Sequence, residues 1–235
     1  MLFASGGEKE KAFCGFGVEC VVRELTEALA SAIDAKDGNT YGHSHRVGEL
    51  AMVMGTHLRL DAAQIEELQI AAHLHDVGKI GIPDAILNKP ARLTAEEFAV
   101  VQRHPVIGWQ ILRRISSFQQ VARIVRHHHE RFDGTGYPDR LCGTDIPLAS
   151  RLIAVADSYD AMTSARSYRK AVSAKEAWQE LCRCSGSQFD PEAVKAFRPV
   201  VQREREWRSY PADHLFFAIN SENDYLNQGK RYSDG

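Results

Sequence analysis

The stretch AAHLHDVGK, residues 71–79, ends an apolar helical pattern on a histidine followed by an aspartate. Upstream of it Ile65, Leu68, Ala72 and Leu74 recur at helical spacing, so a helix is predicted over about 62–77 that turns this face inward and delivers His75 and Asp76 at its last turn. Neighbouring helical residues point about 100° apart, so both side chains can meet a metal, and a carboxylate has two oxygens with which to bridge two ions. The pair could merely cap the helix. A histidine suits the negative end of the dipole, but an aspartate there is adverse, which favours a metal. His43 of GHSHRV, at the start of the preceding helix, and Asp157 of AVADSYD, on a later one, complete a set of two nitrogens and two oxygens. Such a set suits iron, manganese, zinc or cobalt.

Helical periodicity continues outward from this stretch, and no convincing alternating strand interrupts it. A first helix is expected over about 21–36 with Leu25, Leu29, Ala32 and Ile33 as its stripe; GNTYG breaks it, and a second starts near Ser44 with Val47, Leu50, Ala51 and Met54. GKIGIPDAILNKP reads as ordered loop. Thr94 with Glu97 forms a capping box for a helix ending near His104, before Pro105, and a short helix follows to about 114. In FQQVARIVRHHHE, Val121, Ile124 and Val125 set an apolar face on which His128 falls seven residues after Val121. Pro147 suits the first position of a long helix ending near Ser164, with Asp157 and Asp160 one turn apart on one face. Ser173 with Glu176, and Asp190 before Pro191, start two more. The expected fold is an all-α bundle of about seven or eight helices spanning residues 21–203, between an N-terminal extension (1–20) and a polar, aperiodic tail (204–235).

Composition bounds the partners. The chain has 235 residues, 44% apolar, with a formal net charge of −2, which allows a real core and argues against a nucleic-acid polymer as ligand. Any anionic substrate should be small and met by a local basic pocket. Five cysteines, with Cys182 and Cys184 the only close pair, indicate neither a disulfide framework nor a thiolate zinc site, as in a reducing cytosol. No apolar run approaches ~18 residues, and the start lacks the pattern of a signal peptide, so the expectation is a cytoplasmic protein with no membrane association. Nine of the ten histidines lie between His43 and His129, which is itself a sign of a metal or acid-base site.

Taken together, GHSHRV, HDVGKIGIPD, HHERFDGTGYP, IPLASRLIAVADSYDAMTS and GSQFDP resemble, in order and spacing, the HD-GYP domains, a branch of the HD metal-dependent phosphohydrolases. The resemblance runs from about residue 24 to 197. It implies an HD-domain helical bundle in which His43, His75, Asp76 and Asp157 hold one metal, His104, His128 and His129 serve a second, and Asp76 bridges the two. The implied activity is hydrolysis of cyclic di-GMP to pGpG, and in some members on to GMP, by attack of a metal-bridging hydroxide on phosphorus. The implied cofactors are two divalent ions, iron or manganese. Asp76 and Lys79 are then the catalytic candidates, and Lys79, Tyr137, Asp160, Arg166 and Arg169 the groups that meet substrate. Arginine offers a fork for phosphate or a guanine edge, and tyrosine a face for a base. Rival readings are a catalytically weak cyclic-dinucleotide sensor or interaction module, with diguanylate cyclases carrying a GGDEF domain as partners, and a hydrolase of another cyclic dinucleotide. A homodimer is a further expectation.

Some members of the family bind a third metal through a glutamate four residues before the first histidine; that position is Asn39 here, a weak ligand, so two ions are expected. Departures from the family pattern are Ser167 in RSYR, Arg140 in GYPDRL where glycine is common, and His73 where an apolar residue is usual. His73 is expected to be packed or partly exposed rather than a ligand, and His45 and His57 to lie on helix surfaces. His127 is expected to point away from the site and to be dispensable. Arg46 is read as half of a structural salt bridge, Arg151 as a helix-surface ion pair, and Glu130 and Asp133 as carboxylates that orient ligand histidines, with loop capping as the alternative.

Overall fold

The computed structural model describes residues 18–38, 42–164 and 170–207. Ten α-helices succeed one another there: α1 (Val18–Lys36), α2 (His43–His57), α3 (Ala62–Leu74), α4 (Asp84–Leu87), α5 (Ala95–Val101), α6 (His104–Leu112), α7 (Gln119–Arg126), α8 (Leu148–Thr163), α9 (Ala174–Arg183) and α10 (Pro191–Trp207). The excess over the expected number comes from short turns such as α4, four residues inside the segment expected to be loop. Among the described residues no β-strand forms, only an isolated bridge between Ser185 and Phe189, and no helix is long and apolar enough to cross a membrane.

Local chemistry starts the helices where the sequence places caps. Asp61, Thr94 and Ser173 each accept from the third residue of the following helix, and Gln64, Glu97 and Glu176 return the bond. The Asp190 carboxylate accepts from the Glu192 N–H at 2.9 Å and also pairs with Arg151, which ties α8 to the start of α10. Pro147 sits one residue earlier than expected, as the cap of α8.

The core lies between α2, α3, α7, α8, α9 and α10, and its fully buried side chains include Met54, Leu68, Leu74, Leu152, Leu181 and Phe197. The stripe expected on α1 is corrected by the structure. Leu25 and Leu29 are 59% and 52% exposed, while Thr26, Ala30, Ile33, Asp34 and Asp37 face inward. Two of those polar residues have fixed partners: Asp34 accepts from the Ser44 N–H and hydroxyl at the first turn of α2, and Asp37 receives Lys79.

Two close approaches place the site. A Cβ on Gly78 would lie 1.9 Å from the His104 carbonyl oxygen and 2.5 Å from the Gly108 nitrogen, so only glycine lets the start of α6 rest on the turn after α3. A Cβ on Gly136 would meet the Arg131 nitrogen at 2.3 Å, so the loop after α7 folds back against its own beginning.

Candidate metal centre

Helix ends converge on one buried point. α2 begins at His43, α3 ends against His75 and Asp76, α6 begins at His104, His128 and His129 follow the end of α7, and Asp157 comes from the middle of α8. His104 belongs to the start of α6 rather than the end of the preceding helix, because α5 stops at Val101 and Pro105 is accommodated in the first turn of α6. Among the described residues four sets of potential ligand atoms each lie within 4.8 Å of one another; three of them meet here, namely His43, His75 and Asp157; His75, Asp76 and His128; and His104, His128 and His129, while the fourth, His127, Glu130 and Asp139, lies in the loop after α7.

Asp76 stands between these sets. Its Oδ2 lies 3.3 Å from His75 Nε2 and 4.0 Å from His43 Nε2, and its Oδ1 lies 3.3 Å from His104 Nε2. The two oxygens of one carboxylate therefore face the two halves of the site. His43 Nε2 is 3.3 Å from Asp157 Oδ1, which closes the carboxylate-rich half.

The imidazoles are oriented from behind. His75, His104 and His128 donate Nδ1–H to the carbonyls of Ala72, Val101 and Val125 at 2.7, 2.8 and 2.6 Å, and His43 donates Nδ1–H to Asp160 Oδ2 at 2.7 Å. A carbonyl or carboxylate can only accept, so the neutral ring has its lone pair on Nε2, pointing inward. His75 Nε2 is buried without a hydrogen-bond partner. His104 Nε2 and His128 Nε2 approach to 3.3 Å although both are lone-pair atoms, a contact that neutral rings do not favour without a cation beside it. These residues fit divalent metal ions held by imidazole and carboxylate.

The electrostatics differ between the halves. Burial opposes a charge on His43, but Asp157 and Asp160 outweigh it and raise the ring to about 10. Burial lowers His104 to about 3 and takes His128 well below the ordinary range, with neighbouring imidazoles adding to the effect. Asp76 is buried too, yet Lys79 and His75 hold its carboxyl well below the usual carboxylate range.

The substrate candidates separate. Lys79 Nζ lies 2.8 Å from Asp76 Oδ2 and 2.7 Å from Asp37 Oδ2; burial opposes its charge, but the two carboxylates keep it protonated. Tyr137 is half-buried with its ring 5.0 Å from that of His129, and burial raises its hydroxyl, so it remains a donor. Asp160, expected to meet substrate, is 4% exposed and instead holds His43 and Arg46, accepting from Arg46 Nε at 2.6 Å and Nη2 at 3.0 Å. Arg46 thus makes the salt bridge expected of it. Asn39, Arg166, Ser167 and Arg169 lie outside the described residues.

Other expectations are revised. Glu130 accepts from the Asp139 N–H, and Asp133 binds the Thr135 N–H and hydroxyl, so both brace the loop while backbone carbonyls orient the rings. His127 points away from the centre as expected, and it is bonded to the Arg123 carbonyl at 2.8 Å and to Asp139 at 2.9 Å, contacts that tie the end of α7 to the loop. Sequence reasoning missed Asp37. Its signal was the one that marked Asp76, an acidic residue just beyond a helix C-terminus, where the dipole disfavours it.

Comparison with known proteins identifies the family and the fold. The family model described as "HD domain" matches residues 27–193. A "Cyclic di-GMP phosphodiesterase" of Thermotoga maritima is 43% identical over 176 residues, covering 74% of this chain and 48% of that protein. A "3'3'-cGAMP-specific phosphodiesterase 2" of Vibrio cholerae is 39% identical over 175 residues, covering 74% of this chain and 34% of that protein. Among solved structures, a cyclic GMP-AMP specific phosphodiesterase of V. cholerae superposes with a TM-score of 0.66 at 22% identity, over 85% of this chain and 53% of that one. The chain spans from about a third to about half the length of these curated relatives. It belongs to the HD domain family, in the HD-GYP branch that its HDVGK and DGTGYP segments mark.

Proposed function

We propose that this chain is a metal-dependent phosphodiesterase that hydrolyses cyclic di-GMP to pGpG at a centre of two divalent ions, iron or manganese. The observation that carries the reading is the division of the Asp76 oxygens between the His43/His75/Asp157 set and the His104/His128/His129 set. Two ions held there would activate a water at neutral pH and neutralise charge on the attacked phosphoryl group. Lys79 is charged and directed at Asp76, where it meets a phosphate oxygen entering the site. Asp160 orients the His43 ring, and the carbonyls of Ala72, Val101 and Val125 orient His75, His104 and His128, so these rings need not turn when ions bind, although His43 must give up its Nε2 proton to do so. Tyr137 presents its ring beside His129 at the lip of the site, placed to stack on a base.

The test is turnover by protein purified with iron or manganese under reducing conditions, followed by chromatography, beside Asp76→Ala. Cyclic di-GMP should be converted to pGpG by the wild type and not by the variant. Binding without turnover would replace this reading with a sensor, and turnover surviving in Asp76→Ala would end the bridging role. The relationship to a protein named as 3'3'-cGAMP-specific supports a second reading, hydrolysis of that mixed dinucleotide. It is preferred if cGAMP is consumed faster than cyclic di-GMP in the same assay.

A further inference from the structure

The loop between α7 and α8 is tied down on either side of Tyr137. Phe132 and Asp133 donate their N–H groups to the carbonyls of Gln188 and Ser187 at 3.1 and 2.8 Å, and the Gly143 N–H returns to the Phe132 carbonyl at 2.9 Å. Between these ties runs the segment that carries Tyr137. Its own backbone bond, from the Tyr137 N–H to the His129 carbonyl at 3.2 Å, is at the long end of the usual range. The shorter restraints on this segment converge on Asp139, two residues further on.

The Asp139 N–H donates to Glu130 Oε1 at 2.7 Å. The Asp139 carboxylate accepts from Arg126 Nε and Nη2, both at 2.7 Å, and its Oδ2 lies 2.9 Å from His127 Nε2. A planar guanidinium joined to a carboxylate by two parallel bonds fixes direction as well as distance. Arg126 is itself held, because its guanidinium lies over the Trp109 ring of α6 at 4.8 Å from the centroid, and His127 is anchored to the Arg123 carbonyl at 2.8 Å. The Arg126 and Asp139 side chains are 22% and 35% exposed, and the double bond to a stacked guanidinium separates this pair from ordinary surface ion pairs. Arg126 holds the Asp139 carboxyl down at about 2, so the pair is charged throughout the neutral range. Arg126 and His127 directly precede His128 and His129, so this clamp is built on the helix end that supplies two of the candidate metal ligands.

We propose that Asp139 is a positioning residue for substrate binding: clamped by Arg126 and His127, it holds the Tyr137 ring beside His129, 5.0 Å between centroids, ready to stack on a base. The proposal rests on the reading of Tyr137 as the stacking group. Only Pro138, whose φ is fixed by its ring, separates Tyr137 from Asp139, so a shift of the clamp is passed to the tyrosine with little slack. The Asp139 bonds go to Arg126, His127 and Glu130 rather than to the ligand histidines, so its loss acts on binding and not on the chemical step. Without the clamp the Tyr137 segment is ordered only when substrate arrives, and that entropy cost weakens binding.

The experiment is steady-state kinetics of the full chain, loaded with iron or manganese, on cyclic di-GMP and on cGAMP. Wild type is compared with Asp139→Ala, Asp139→Asn, Tyr137→Ala and the double variant Asp139→Ala/Tyr137→Ala, each matched to wild type in helical content by circular dichroism and in bound metal. Stacking of a base on an aromatic ring strengthens binding by about 5- to 150-fold, so Asp139→Ala should raise KM about 5- to 30-fold and leave kcat within about twofold. Asp139→Asn keeps the side-chain volume and the backbone bond to Glu130; it should raise KM less, and it decides the matter if Asp139→Ala does not fold. The double variant should bind no more weakly than Tyr137→Ala, because the clamp acts through that ring. An unchanged KM in the Asp139 variants, a fall confined to kcat, or independent effects of the two substitutions overturns the proposal. Wild-type turnover with KM unmoved in Asp139→Ala refutes the clamp alone, whereas a wild type that consumes neither dinucleotide refutes the proposed function and the clamp with it.

Discussion

Replacing Asp160 by Asn keeps the volume of the side chain and removes its charge. In the structure the carboxylate accepts from His43 Nδ1 at 2.7 Å and from Arg46 Nε and Nη2 at 2.6 and 3.0 Å. The amide has one acceptor oxygen, and its NH₂ group must face either the imidazole N–H or the guanidinium, so one of these partnerships is lost. A hydrogen bond to a charged group contributes about 1.5–3 kcal/mol. Groups that orient a ligand histidine typically change metal affinity by about 10- to 100-fold, or about 1.4–2.7 kcal/mol. The two routes agree in size. Metal titration by calorimetry should show Asp160→Asn binding about 10- to 100-fold more weakly, with turnover recovering at high metal concentration. For a chain of 235 residues the same energy lowers Tm by roughly 3–12 °C. Arg46→Ala, which leaves the His43 bond in place, should weaken metal binding less. Unchanged metal affinity and Tm in Asp160→Asn would refute the positioning argument.

Lys79→Met removes the cation shared by Asp76 and Asp37, and turnover by chromatography should fall about 10²-fold or more, with a lower Tm because two buried carboxylates lose their partner. Gly78→Ala drives a methyl into the His104 carbonyl, and thermal unfolding should show a loss of at least about 3 kcal/mol, roughly 6–12 °C. Arg140→Gly relieves a backbone with φ of 56° and should stabilise the protein by about 1 kcal/mol, read by denaturant titration. Chelation of a metal present at about 100 times its Kd removes about 2.7 kcal/mol of stability, seen as a lower Tm that returns when metal is added back.

The caps, the helical class and the residues that meet at the centre were readable because each is a local pattern: a capping box, a glycine, or a histidine and an aspartate at a helix end. Longer-range assignments were not. Leu25 and Leu29 form a stripe at helical spacing yet face outward, because the opposite side of α1 carries Asp34 and Asp37 to partners on other elements. Asp37 and Lys79 are 42 residues apart, and no periodicity relates them. Asp160 was found as a functional aspartate one turn from Asp157, but its partner depends on the packing of α8 against α2, which places Arg46 and His43 on the same carboxylate. His127 shows the same limit, since its neighbours in sequence point into the centre while it bonds to Asp139 across the loop.

The most direct test of the central claim, that Asp76 is shared by two metal ions, is anomalous diffraction at the absorption edge of iron or manganese from metal-loaded crystals. Two separate peaks are predicted, one bounded by His43, His75 and Asp157 and the other by His104, His128 and His129, with one Asp76 oxygen towards each. A single peak, or two peaks with Asp76 touching only one, would contradict it.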